Sequence, residues 1–84
     1  MPSRQQLIDK RRKELLKRGY PEGIVELSLD WAFNSAQGMA TYILQAELSD
    51  DNDNDAEKMI VQFLPRYLKD TEKYIRAFGH LPKR

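Results

Sequence analysis

The sequence predicts an all-α fold, a small three-helix antiparallel bundle. Two observations lead there: apolar residues recur at helical spacing in three long segments, and turn-forming stretches separate those segments. The 84 residues make a single domain, 1–84, and a chain of this size buries roughly 60–65% of its unfolded surface. With 40% hydrophobic residues and no cysteine, the core is modest and has neither disulfides nor thiolate metal sites to supplement it.

The first helix is expected over 4–18. Ser3 and Gln6 have the spacing of a capping box, in which each satisfies a backbone N–H that the helix start leaves free. Leu7, Ile8, Leu15 and Leu16 form a narrow apolar stripe on an otherwise charged segment. Gly19 follows Lys17 and Arg18, which puts a stop signal after cations at the negative end of the helix dipole.

The second helix is expected over 21–48, with Pro21 in its first turn, where a missing N–H costs nothing. Two neighbouring stripes run along it. Ile24, Leu27 or Ser28, Trp31, Ser35, Met39, Tyr42 and Ala46 trace one, and Val25, Leu29, Ala32, Ala36, Ala40 and Ile43 trace the other. Asn34-Ser35-Ala36-Gln37-Gly38 carries cap-formers and a glycine, so the segment reads as one helix or as two broken near 34–38.

Residues 49–55 are small and polar, an acidic loop. The third helix is expected over 55–78, with Asn54 and Glu57 at a second capping-box spacing. Its seam is Ile60, Leu64, Tyr67, Thr71, Tyr74, Phe78 and Leu81, widened by Met59, Phe63, Leu68 and Ile75. Pro65 removes a ladder hydrogen bond and predicts a kink or restart there. Gly79 opens a short basic tail, 79–84.

Charge is segregated in blocks. Between Gly19 and Glu57 there are nine carboxylates and no Lys or Arg; residues 1–18 and 58–84 each carry seven cations and two acids. Such blocks steer encounters with a partner or pair within the chain, whatever the net charge of +1. Arg4, Arg11 and Arg18 recur every seven residues with Lys10, Lys13 and Lys17 beside them, a row able to follow phosphates. Near the other end Arg66, Lys69, Lys73 and Arg76 interleave with Tyr67 and Tyr74, a mixture suited to single strands. A sequence pI near 8.0 is low for a nucleic-acid binder, where values above ~9 are usual.

Catalysis is not expected. The one histidine, His80, lies in the terminal tail, too few for a triad or a two-histidine metal site. The paired carboxylates crowd a polar loop that offers nothing to raise a pKa. Asp51, Asp53 and Asp55 match the first ligand positions of a calcium loop, but Ala56 stands where Gly is needed and Gln62 where Glu is needed. No cofactor and no metal is therefore expected.

Gly19-Tyr20-Pro21 between two helices resembles the Gly-aromatic-Pro turn of ubiquitin-associated domains, and Met39-Ala40-Thr41-Tyr42-Ile43-Leu44 is similar to the start of that family's third helix. The resemblance covers residues 5–46 and implies ubiquitin binding through Gly19, Tyr20 and that third-helix face. Arg18 stands where the family usually has Met, and the long C-terminal helix has no counterpart in it.

The reading that the residues favour is a non-enzymatic protein-binding module, a small accessory or regulatory subunit or an adaptor. Its partner-binding residues are expected among Arg4, Lys10, Arg11, Lys13, Lys17, Arg18, Tyr20, Tyr74 and Phe78. The partner is another protein or a second copy of this chain. The alternative is a nucleic-acid-binding accessory protein that uses both basic ends. No segment reaches the ~18 consecutive apolar residues of a membrane span, and a soluble, cytoplasmic protein is expected.

Overall fold

The computed structural model describes residues 3–46 and 53–78, and every element in them is helical: α1 Arg4–Lys17, α2 Glu22–Ala46, α3 Asp53–Lys69 and α4 Thr71–Ala77. Four helices thus replace the expected three. α1 opens on the expected capping box: the Gln6 N–H donates to Ser3 Oγ at 3.2 Å and the Ser3 N–H to Gln6 Oε1 at 2.8 Å.

α1 closes on a Schellman motif. The Gly19 N–H donates to the Leu16 carbonyl at 3.0 Å, and the Tyr20 N–H to the Leu15 carbonyl at 3.4 Å. Gly19 adopts φ 93°, which an L side chain rarely tolerates. The motif's hydrophobic pair, Leu15 and Tyr20, is buried in the core, so the stop signal also starts the tertiary packing. Gly19→Ala is expected to cost about 1–2 kcal/mol, the penalty of a left-handed residue with a Cβ, read as a lower urea midpoint at unchanged slope.

Pro21 sits just before α2, and its carbonyl accepts from the Val25 N–H at 3.0 Å. α2 then runs unbroken through 34–38. Of its two stripes, Val25, Leu29, Ala32, Ala36 and Ala40 face the core, while Leu27, Met39 and Tyr42 of the other are exposed.

α3 begins at Asp53, so Asn54 lies in its first turn and not at its cap, and residues 53–55 of the expected acidic loop are helical. Residues 49–52 of that loop, residues 47–48 expected at the end of the second helix, and the 79–84 tail with His80 and Leu81 lie outside the described residues. The helix passes through Pro65, which is exposed, and ends at Lys69. The interruption falls instead at Asp70, whose N–H donates to the Tyr67 carbonyl at 3.0 Å. A side chain of α1 meets it. Arg11 Nε donates to Thr71 Oγ1 at 2.9 Å, and a terminal Arg11 nitrogen donates to the Lys69 carbonyl at 3.5 Å. A cation thereby meets the open carbonyl end of α3, where the helix dipole favours it.

Ion pairs fix the helix directions. Arg4 at the start of α1 reaches Glu57 near the start of α3, and Arg18 after its end reaches Glu72 in α4, so α1 runs parallel to α3 and α4. Arg12 meets Glu26 while the Arg4 guanidinium lies over the Phe33 ring, so α1 and α2 are antiparallel. α2 is therefore antiparallel to α3 as well, and it supplies the central face of the bundle.

The core side of α3 and α4 is Ile60, Leu64, Leu68, Thr71 and Ile75. Tyr67 and Tyr74, expected in that seam, are half-buried at its flank, and Phe78 is exposed. The alanine stripe of α2 explains the shift. Small side chains at a helix contact shorten the interaxial distance, and rings of this size no longer fit between the axes. Tyr74 stacks on Trp31 instead, and Tyr67 packs edge-on to it.

Candidate docking face

α2 presents Leu27 and Trp31 on successive turns, and α4 presents Tyr74 with Phe78, its C-cap residue, four positions on. Side chains four residues apart on a helix are neighbours, so each pair forms a continuous ridge. The ridges meet at the Trp31 indole, which stacks on Tyr74 with centroids 5.3 Å apart and packs edge-on to Tyr67 at 6.0 Å. Tyr74 in turn tilts against Phe78 at 5.0 Å. Leu27 remains 55% exposed and Phe78 61% exposed, so both ends of this aromatic ladder stand in water. Asp30, Asn34 and Ser35 line its α2 edge. Farther along α2, Met39 and Tyr42 continue the apolar stripe, with Tyr42 70% exposed.

The basic residues of α1 divide by type. Each arginine of α1 has an intramolecular role: Arg4 with Glu57 and Phe33, Arg11 with Glu14 and Thr71, Arg12 with Asp9 and Glu26. Arg18, just past the helix, holds Glu72. The Arg12 fork is bidentate on Glu26, at 2.6 and 3.1 Å, and that bonding raises the guanidinium further above its ordinary pKa. Planar, multidentate guanidinium suits such fixed pairing better than ammonium. Among the described residues Lys10, Lys13 and Lys17 form no ion pair, and they share one exposed face of α1. Of the expected basic row, only this lysine half is left to meet a partner by charge.

Tyr20 is placed otherwise than expected of a binding residue. It is 3% exposed, and its hydroxyl donates to Glu72 Oε2 at 2.6 Å while accepting from Arg76 Nε at 3.5 Å. Arg18 and Arg76 also bond or face that carboxylate. The Tyr20 hydrogen bond, with the two cations, holds the Glu72 carboxyl below its ordinary pKa, against the opposing effect of burial. Tyr20, Arg11 and Arg18 are thus tied to the docking of α4 and the α3–α4 junction.

The ubiquitin-associated resemblance requires a turn between a second and a third helix within residues 5–46. α2 is continuous there, so Met39–Leu44 is the late part of a long helix and not the start of a new one. Likewise, residues 53–62 are helical rather than looped, which removes the chain geometry of a calcium loop. Among the described residues no cluster of His, Cys, Asp and Glu is arranged to hold a metal ion, and no helix is long and apolar enough to cross a membrane. No family model matches the chain, and no curated protein or solved structure is significantly similar to it.

Sequence reasoning singled out Tyr74 and Phe78 but left Leu27 and Trp31 out of the binding set. Both lie on a stripe that was visible as helical spacing. Nothing local marked that stripe, rather than its alanine-bearing neighbour, as the one facing water.

Proposed function

We propose that this chain is a non-enzymatic protein-binding module, a small accessory or regulatory subunit or an adaptor, that docks its partner on the Leu27–Trp31–Tyr74–Phe78 face. One observation carries the reading: an aromatic ladder that ends in Phe78 and is continued on α2 by Leu27, both more than half exposed although the chain has a closed core elsewhere. Exposed aromatic and aliphatic groups beside a polar rim are the usual anchors of a protein interface. The ladder is also held rigid by ring stacking, which lowers the entropy lost on binding. A cytoplasmic setting agrees with the absence of cysteine.

The test is an affinity capture from native lysate with three proteins: the natural chain, a Leu27→Asp/Phe78→Asp variant, and a Lys10→Glu/Lys13→Glu/Lys17→Glu variant. Each is run with and without nuclease. The natural chain and the lysine variant are expected to retain one stoichiometric protein after nuclease, and the aspartate variant to lose it. The exposed lysine face of α1 favours the second reading, nucleic-acid binding. That reading gains if capture depends on the lysines, disappears with nuclease and weakens steeply with salt.

A further inference from the structure

The docking face carries opposite charges on its two edges. Each ring of the central stack has a core residue directly after it in the chain, Ala32 after Trp31 and Ile75 after Tyr74, and a charged one directly before it, Asp30 and Lys73. Successive helical residues are turned about 100° apart, so the charged neighbour of each ring lies on the side away from the core. Asp30 therefore edges the face along α2, beside the neutral Asn34 and Ser35. Lys73 edges it along α4, and Arg66, next to Tyr67, continues that edge along α3. All three charges are exposed, and among the described residues none of them forms an ion pair. Asp70 is half-buried between the two cations, four residues after Arg66 and three before Lys73, so that edge keeps a net positive charge.

The levels of the side chains match across the face as well. The Trp31–Tyr74 stack sets α2 and α4 at a common height. Leu27 lies four residues before Trp31 and Phe78 four after Tyr74, and the two helices are antiparallel. Both exposed apolar groups thus stand about 6 Å from the stack in the same direction. Asp30 and Lys73 each fall within one residue of the stack.

We infer that the docking face is covered by a second copy of this chain, related by a two-fold axis that runs along the helices between the two faces. Rotation about such an axis keeps every level and exchanges the two edges. Leu27 then meets Phe78 of the other copy, Trp31 meets Tyr74, and Asp30 meets Lys73, each contact made twice, as a self-complementary interface requires. Asp70 comes level with Asn34 of the other copy, whose amide can donate to it. A two-fold axis across the helices would instead lay each edge on its own copy, carboxylate on carboxylate and cation on cation, which is repulsive. The inference rests on the docking reading above and names its partner.

The test is the mass of the full chain in solution, followed by sedimentation over a concentration series. The natural chain is expected to pass from one to two chains per particle, with a blue shift in the emission of Trp31, its only tryptophan. Leu27→Asp/Phe78→Asp is expected to stay monomeric throughout. Asp30→Lys and Lys73→Asp are each expected to dimerise about tenfold more weakly than the natural chain, because each sets like charges together twice. An equimolar mixture of those two variants is expected to form a heterodimer about as tight as the natural dimer, and two chains that had failed to fold would not restore one another. Overturning results are a natural chain that remains monomeric, a dimer that survives Leu27→Asp/Phe78→Asp, charge variants that dimerise normally, or Asp30→Lys pairing better with the natural chain than with Lys73→Asp. A monomeric chain that still captures a different protein through Leu27 and Phe78 overturns the second copy and leaves the docking face standing. Capture that the aspartate variant retains is the separate failure of the docking reading.

Discussion

Leu64→Ala is expected to lower unfolding free energy by about 2–5 kcal/mol, the largest effect of any single truncation proposed for this chain. Leu64 is 0% exposed, in a core shared with Leu15, Val25 and Ile75. It sits in the middle of α3, which faces the alanine stripe of α2. Alanines cannot move to fill the space, because their position is set by the backbone, so most of the cavity persists. A chain of this length has roughly 4–13 kcal/mol of total stability at ordinary values per residue. The variant is therefore expected to be partly unfolded at physiological temperature, seen as a lower thermal midpoint by circular dichroism. A change below ~1 kcal/mol would show that α3 does not pack against α2 as described.

The second large effect concerns α4. Glu72→Ala is expected to cost about 1–3 kcal/mol at neutral pH, because it leaves the buried Tyr20 hydroxyl without its acceptor. The α4 helix has seven residues and cannot hold itself in water, so its position depends on this anchor, on Thr71 and on Ile75. The same carboxylate makes the effect depend on pH. Glu72 has its pKa lowered in the folded state, from an ordinary value near 4.5, chiefly by the Tyr20 hydrogen bond and then by Arg18 and Arg76. A lowered folded-state pKa means that the unfolded chain binds the proton more readily. The stabilisation is then fully present above about pH 4.5 and is lost as pH falls through the folded value. Glu72→Gln can still accept from Tyr20 but does not titrate. The stability difference between the natural chain and this variant, measured by urea unfolding, is expected to be constant at neutral pH and to shrink below about pH 4.5. A difference that grows with acidity contradicts the network.

Loss of α4 docking also reaches the candidate site, since α4 supplies Tyr74 and Phe78 to the ladder. Trp31 emission in Glu72→Ala thus reports whether the aromatic face survives when its anchor is cut. The charge pattern and the apolar face are in this way one construction. The arginines position α4, and α4 completes the aromatic surface.

Much of this was legible in the residues themselves. The Ser3–Gln6 box, the Gly19 stop, the helical reading of all three apolar segments and the two stripes of α2 follow from hydrogen bonds and side-chain neighbours within a turn or two. Such short-range terms depend only on adjacent residues, so the sequence alone determined an all-helical chain and the outer bounds of α1. Tertiary structure decided the rest. It put the break of the last helix at Asp70 rather than Pro65, where Arg11, about sixty residues earlier, meets the end of α3. It turned the alanine stripe inward and left Leu27, Met39 and Tyr42 in water, because only small residues let α2 and α3 approach closely. It also drew the arginines of the basic row into ion pairs and, among the described residues, left Lys10, Lys13 and Lys17 without one. Each of these choices turns on contacts between residues far apart in the chain, and spacing along one helix carries no information about which neighbour another helix will bring.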